Sequence, residues 1–412
     1  MSEHSHSADI MARLDRMAQV SEHADRLTRR CYTPEHRAIN DLAAQWMRDA
    51  GMAVHEDAVG NVIGRYEGRA PDAPAIMLGS HLDTVVDAGR YDGPLGVLAA
   101  IDCVRSLNAR GIRYDCAIEV ACFADEEGVR FQSTFLGSRG IAGTFERALL
   151  DRPDKDGITL AAAMQEFGLD VGRIEDAARQ PGEIRCYLEV HIEQGPVLEN
   201  EDLAVASVTA IAGANRMTVT VDGAAGHAGT VPMSARQDAL TAAAECVLAV
   251  EEIASGAPDA VATVGQISAE PGATNVIPGR VEFSIDMRAA DDQVRRDCVA
   301  ALHARLEEIG ARRGVAISAE QTHAADGVLC APWLIDQIEE AMDDLGQPRR
   351  RLPSGAGHDA AALAAITDVG MIFVRCAGGV SHSPDESITE ADAIASAELL
   401  LRTVERIGGA LN

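Results

Sequence analysis

The sequence predicts an α/β fold, a central mixed sheet with helices packed on it, interrupted by an inserted α+β unit. Three observations carry this expectation. Apolar strand-like runs alternate with helical stretches from Thr33 to Val190, the pattern of a sheet covered by helices. Residues 212–326 instead follow the order β-α-β-β-α-β, the ferredoxin-like arrangement. From about Gly327 the first pattern resumes. The expected domains are therefore residues 1–211 together with 327–412, and the insert 212–326.

Ser7–Val20 reads as a helix, and Thr33-Pro34-Glu35 opens a second one that stops at Gly51. Leu42, Ala43, Trp46 and Met47 share one face of that helix. Val54 and Asn61–Tyr66 read as short strands. Ala75–Leu78 is a buried strand that runs into Gly79-Ser80-His81-Leu82-Asp83-Thr84-Val85. After the turn Tyr91-Asp92-Gly93 comes a helix, Pro94–Arg110, then a strand, Cys116–Phe123, ending in Asp125-Glu126-Glu127-Gly128. Arg130–Gly140 reads as a loop. The strand Arg185–Val190 ends in His191-Ile192-Glu193-Gln194-Gly195. The insert holds strands at Met217–Val221, Val261–Ile267, Val281–Met287 and Val315–Ser318, with helices at Ser234–Ile253 and Asp291–Gly310. Helix Pro332–Leu345, strand Val369–Arg375 and helix Thr389–Ile407 close the chain, and Gly378–Glu386 connects the last two.

Composition narrows the function. A chain of 412 residues with 47% hydrophobic and 24% charged residues is an ordinary globular protein with room for two domains. Its formal net charge of -28 argues against a nucleic-acid partner, which needs clustered cations. The nine cysteines include no C-x-x-C pair, which disfavours a disulfide framework or a zinc ribbon and suits a reducing compartment. Met1–Asp9 is polar, so no signal peptide is expected. No apolar run approaches the roughly 20 residues that span a bilayer. A cytoplasmic protein with no membrane partner is the expectation. His4 and His6 read as part of a disordered tail, in preference to a site for stray metal.

Acidic and imidazole groups gather at strand ends and tight turns: His81, Asp92, Glu126, Glu127, His191 and His382. In an α/β sheet, functional residues collect at the carboxyl ends of strands. Three histidines with two or three carboxylates suit zinc, manganese or cobalt. With one bridging carboxylate, five ligands hold two metals, and a neighbouring carboxylate remains to take a proton from water. Asp83 lies close enough in sequence to orient His81. Glu126 and Glu127 face opposite ways in a regular strand, so the strand must end or twist if both serve the site.

The ordered motifs Gly-Ser-His81-Leu-Asp83-Thr, Tyr-Asp92-Gly-Pro-Leu-Gly-Val, Asp-Glu126-Glu127-Gly-Val-Arg-Phe, Glu-Val-His191-Ile-Glu-Gln194-Gly-Pro and Ser-His382-Ser resemble the hydantoinase/carbamoylase family of two-metal amidohydrolases. That family lies within the aminoacylase/carboxypeptidase-type metallopeptidase superfamily. The resemblance runs from Thr33 to the last helix. It implies a catalytic α/β domain, an inserted dimerisation domain, and two divalent ions per subunit, zinc or manganese. It implies that Asp92 bridges, that His81 and Glu127 or His191 complete the spheres with His382, and that Glu126 is the general base and then the acid. Gln194, His227, Asn275, Arg288 and the loop with Gly357 and His358 match substrate positions. His227 and Asn275 are implied to reach a partner subunit's site in a homodimer. The residues alone leave other readings open. Arg288 can be a surface charge, His227 a turn residue, and His358 with Asp359 the start of a helix.

The activity this implies is hydrolysis of the carbamoyl C–N bond of a small ureido acid, releasing ammonia and carbon dioxide. Allantoate leads, because Phe131–Ser138 looks most like the allantoate-type members. N-carbamoyl-L-amino acids and N-carbamoyl-β-alanine are the alternatives. A peptidase or deacylase, or a catalytically dead metal-binding dimer, fits less well.

Overall fold

The computed structural model describes residues 4–409, with side chains from residue 9 onward. The side chains of His4 and His6 lie outside the described residues. Two compact units divide the chain. The first comprises Met1–Thr209, Cys330–Leu352 and His358–Asn412; the second comprises Ala210–Leu329 and Pro353–Gly357.

In chain order the strands of the first stretch are β1 (Ala53–Glu56), β2 (Val62–Tyr66), β3 (Ala75–His81), β4 (Ala117–Phe123), β5 (Ile184–Ile192) and β6 (Val205–Ile211). The insert contributes β7 (Gly213–Asp222), β8 (Gly226–His227), β9 (Ala260–Thr263), β10 (Ile267–Glu270), β11 (Val276–Ile277), β12 (Arg280–Ala289), β13 (Ala316–Ala325) and β14 (Val328–Leu329). Then come β15 (Arg351–Ser354) and β16 (Asp368–Val374).

The first unit is built on the run β1-β2-β4-β3-β5-β16-β6. Its centre is parallel: β3 pairs β4 and β5, and β5 pairs β16, all in parallel. β1, β2 and β6 pair antiparallel at the margins, so the sheet is mixed as expected. Every residue of β3 and β4 is buried, as parallel strands covered on both faces must be. The helices Pro94–Ala109, Pro332–Asp344 and Glu390–Gly409 supply one cover, through Leu95, Leu98, Ile101, Ile338, Leu399 and Leu400. Among the described residues no helix is long and apolar enough to cross a membrane.

The helix Pro34–Asp49 shows how local chemistry sets an element. Pro34 occupies the first helical position, and Thr33 caps the end by accepting the N–H of His36 at 3.2 Å. His36 is fully buried. Its Nδ1 accepts the N–H of Tyr32 at 3.1 Å, and its ring stacks on Phe167. Burial, and then Arg29 and Arg37, push its pKa down to about 3. An unfolded histidine titrates near 6.5, so between about pH 3 and 6.5 the unfolded chain binds a proton that the folded chain excludes. Stability therefore falls as pH falls through that window. We expect His36→Phe to flatten the decline by up to about 1.4 kcal/mol per pH unit, measured as urea unfolding midpoints at pH 6.5 and 4.5.

In the second unit, the sheet order is β10-β12-β7-β13, with β9 also on β12. Residues along β12 alternate buried with more exposed positions, and Phe283, Ile285 and Met287 meet Leu302, Leu306 and Ala243 of the covering helices. The strand expected at Val261–Ile267 is two strands. Between them Gln266 exchanges hydrogen bonds with Ser284, its N–H donating to the Oγ and its carbonyl accepting the Ser284 N–H. The expected helix Ser234–Ile253 begins later, at Ala239, where Asp238 accepts the N–H groups of Leu240 and Thr241. The expected loop Arg130–Gly140 contains a short helix, Leu136–Ile141. Strands β6 and β15 had no clear sequence signal.

Candidate active site

The parallel register places three strand ends side by side. His81 is opposite Phe123 on β4, and His191 is opposite Phe373 on β16. Asp92 enters from the turn between β3 and the next helix. Gly93 follows at φ +83, and a Cβ there would stand 2.6 Å from the His81 ring. Only glycine lets that turn close over the imidazole.

Hydrogen bonding fixes two imidazole tautomers. Nδ1 of His81 lies 3.0 Å from the carbonyl of Asp83, and Nδ1 of His191 lies 2.9 Å from the carbonyl of Ile192. A carbonyl can only accept, so both Nδ1 atoms carry hydrogen, and Nε2 is the ring atom that each histidine turns to Asp92 and that binds a metal once it is deprotonated. Nε2 of His191 is 3.0 Å and Nε2 of His81 is 3.4 Å from the same oxygen, Asp92 Oδ1. On the other side of that carboxylate, His382 Nε2 is 3.3 Å from Asp92 Oδ2 and 3.6 Å from Glu127 Oε2. The donor atoms thus form one group of His81, Asp92 and His191, and another of Asp92, Glu127 and His382. A third combination, His81 with Glu126 and Glu127, is equally compact.

The fit to metal is chemical as well as geometric. The His81 Nε2 atom is sealed from solvent yet makes no hydrogen bond. A buried polar atom left in that state requires another partner, and a divalent cation supplies one. Asp83, Asp92 and Glu126 are all buried. Burial raises the pKa of Glu126 well above the carboxylate range, with Glu127, Asp359 and Asp83 adding to the rise. Burial also raises Glu127, to about 7. Asp92 goes the other way. Burial opposes its charge, but His191, His382 and His81 hold it well below its usual value. Its charge in turn lifts His382 to about 9.

The two adjacent glutamates both reach the site because β4 stops at Phe123. Asp125 turns to φ +56, which breaks the alternation of the strand. The N–H groups of Glu126 and Glu127 then donate to the two oxygens of Asp83, at 3.1 and 3.2 Å. Asp83 therefore clamps the glutamate pair with its carboxylate and holds His81 with its main-chain carbonyl. Its carboxylate is 3.7 Å from His81 Nδ1.

Gln194 Nε2 donates to Asp92 Oδ2 at 2.8 Å and to Ser381 Oγ at 3.1 Å. His358 is buried at the start of the helix Asp359–Leu363 and meets the His191 ring edge-on at 4.4 Å. In the second unit, His227 and Asn275 come together: β8 pairs β11, and Ala228 N–H donates to the Asn275 carbonyl. Both side chains are exposed. The Arg288 fork is engaged by Asp286, Nε to Oδ1 at 2.9 Å and Nη2 to Oδ2 at 2.8 Å, and Nη1 donates to the Gly355 carbonyl. Gly357 is exposed in the same unit.

Sequence reasoning missed the residues that hold these groups. Ser381 Oγ lies 2.9 Å from Asp92 Oδ2, and Glu386 accepts the main-chain N–H groups of Tyr91 and Asp92. The buried Glu189 accepts from Ser80 Oγ and from the Ala360 N–H, tying β5 to β3 beside both strand-end histidines. Glu386 ends the connection Gly378–Glu386, four residues after His382, and Glu189 opens the His191 motif. Acidic residues two to five positions from a ligand were the available signal.

Comparison with known proteins agrees with this geometry. Residues 77–406 match Peptidase family M20/M25/M40. The chain is 46% identical to an N-carbamoyl-L-amino acid amidohydrolase from Geobacillus stearothermophilus, over 92% of each chain. It is 40% identical to an allantoate deiminase from Arabidopsis thaliana, over 96% of this chain and 82% of that one. A crystal structure of an amidase of the hydantoinase/carbamoylase family from Burkholderia multivorans superposes with a TM-score of 0.91 at 36% identity, covering 96% of both chains. The chain belongs to peptidase family M20/M25/M40, in its hydantoinase/carbamoylase branch, and is a metal-dependent amidohydrolase.

Proposed function

We propose that the enzyme hydrolyses the carbamoyl C–N bond of a small ureido acid, with N-carbamoyl-L-amino acids as the first substrate class and allantoate as the second. The observation that supports a two-metal centre is the Asp92 carboxylate, approached by His81 and His191 on one oxygen and on the other by His382, which also meets Glu127. His81, Asp92 and His191 would hold one zinc or manganese ion, and Asp92, Glu127 and His382 the second. When bound, such a pair supplies Lewis-acid polarisation of the carbamoyl oxygen and makes water acidic near neutral pH.

The remaining work falls to side chains. Glu126 takes the proton of the attacking water and returns it to the departing nitrogen. The carbamate so released falls to carbon dioxide and ammonia. Asp83 keeps Glu126 and Glu127 in place through their N–H groups, and Gln194 steadies Asp92. The ordering of substrates rests on two facts. The carbamoylase relative is 46% identical and the allantoate deiminase 40%. The stretch Phe131–Ser138, which resembles allantoate-type members, is largely internal: Phe131 and Leu136 are buried against Leu149 and Met164, and Ser138 donates to Asp359.

The test is ammonia release from N-carbamoyl-L-methionine, allantoate, N-carbamoyl-β-alanine and a dipeptide, with zinc or manganese present. The expected order of kcat/KM places the N-carbamoyl-L-amino acid first, by about tenfold or more, because a site built to pair a substrate's polar groups discriminates strongly. Activity on the dipeptide alone contradicts the carbamoyl assignment.

The proposed assembly is a homodimer formed through the inserted unit, with His227 and Asn275 of one copy stabilising the oxyanion at the other copy's metals. The exposed pairing of β8 and β11 supports this, since it presents both side chains to a second molecule. Mixing Glu126→Gln with His227→Ala protein is expected to restore activity, to about a quarter of wild type, through hybrid dimers with one intact site. Absence of recovery after demonstrated subunit exchange contradicts the shared site. A cytoplasmic location belongs to the same proposal.

A further inference from the structure

We propose that the first unit carries a separate anion site, a cavity lined by Arg26, Arg30, Arg130 and Lys155 that takes a small doubly charged oxyanion. The cavity has a volume of about 490 Å³, within the range of small-ligand pockets. Its walls come from the segment before the helix Pro34–Asp49 and from the stretches 129–132 and 153–155.

The charge arrangement carries the inference. The lining residues include four cations and two carboxylates, Glu22 and Asp154. Both carboxylates are already satisfied. The Arg30 guanidinium grips Glu22 with Nε and Nη2, and the Arg30 N–H adds a third donor at 2.7 Å. Arg130 Nε holds Asp154 Oδ2 at 3.0 Å, while the N–H groups of Asp156 and Ile158 occupy its Oδ1. Arg130 is further fixed by the carbonyls of Cys31 and Tyr32. Two cations are thus locked as walls.

The other two, Arg26 and Lys155, are exposed, and among the described residues their side chains form no hydrogen bond or ion pair. Lys155 is the only lysine in a chain of net charge -28, and most of its arginines are ion-paired. Two uncompensated cations facing one concavity make a local positive potential on an acidic protein, where low-dielectric walls concentrate the field. A dianion matches that surplus. It would also tie the segment holding Arg26 to the segment holding Lys155. A phosphate group and a short dicarboxylate share this chemistry.

The single lysine makes the site directly readable. Metal-loaded enzyme is treated with an amine-reactive reagent, and modification of Lys155 is followed by peptide mass spectrometry. The treatment is repeated with inorganic phosphate, with malonate, and with chloride at matched ionic strength. Phosphate or malonate at about 10 mM is expected to slow modification about fivefold, the protection given by millimolar affinity. Arg26→Ala is expected to reduce that protection to less than about twofold with turnover unchanged. Protection by phosphate alone assigns a phosphate group, and protection by malonate alone assigns a dicarboxylate. Equal modification in phosphate, malonate and chloride, or full protection retained in Arg26→Ala, overturns the proposal.

Discussion

Glu126→Gln is expected to lower kcat by about 10²–10⁴-fold, the range for losing a positioned general base, while the metal content of the protein stays the same. Glutamine keeps the shape and the main-chain N–H that donates to Asp83, but it cannot take a proton from water. Glu126 lies in only one of the three compact donor groups, beside His81 and Glu127. The two groups that share Asp92 are complete without it. Its burial and the negative groups around it raise its proton affinity, which suits a residue that must first accept a proton and then release it to a leaving nitrogen. Metal analysis and steady-state kinetics on the same preparation separate this role from ligation. A loss of metal in parallel with activity makes Glu126 a ligand. Turnover within a few-fold of wild type removes it from the mechanism.

The second large effect belongs to Asp92. Asp92→Ala is expected to abolish turnover and to leave less than one metal per chain, because one carboxylate serves both proposed ions. Three independent contacts keep that carboxylate in place. Gln194 and Ser381 meet Oδ2, and Glu386 anchors the main chain at Tyr91 and Asp92. Removing the carboxylate also leaves His81, His191 and His382 without their common acidic neighbour. The comparison that isolates the bridge is His382→Ala, expected to keep one ion, bound by His81, Asp92 and His191. Metal per chain by elemental analysis after dialysis distinguishes the two. Equal retention in both variants contradicts the bridging role.

The parts of this site that were legible in the sequence share a property. His81, His191 and the Glu126–Glu127 pair stand where apolar β-runs end, and a parallel sheet brings such ends together. Asp92 was legible because Gly93 and Pro94 mark its turn. The α/β alternation of the first unit and the β-α-β-β-α-β order of the insert followed from the sequence pattern. What the sequence did not disclose depends on partners remote in the chain. Glu386 reaches Asp92 across nearly three hundred residues. Glu189 looks like any strand residue until Ser80 and Ala360 arrive beside it. The turn at Asp125, which aims both glutamates, is a single backbone angle with no side-chain signature. The break between β9 and β10 comes from pairing with two different parts of β12. Arg288, which matches a substrate position, is engaged by Asp286, two residues away on its own strand.

One measurement tests the central claim most directly: anomalous diffraction from crystals of the zinc- or manganese-loaded enzyme. Two peaks about 3.5–4 Å apart, one against His81 and His191, the other against Glu127 and His382, with Asp92 between them, are the predicted result. A single peak, or two peaks that do not flank Asp92, contradicts it.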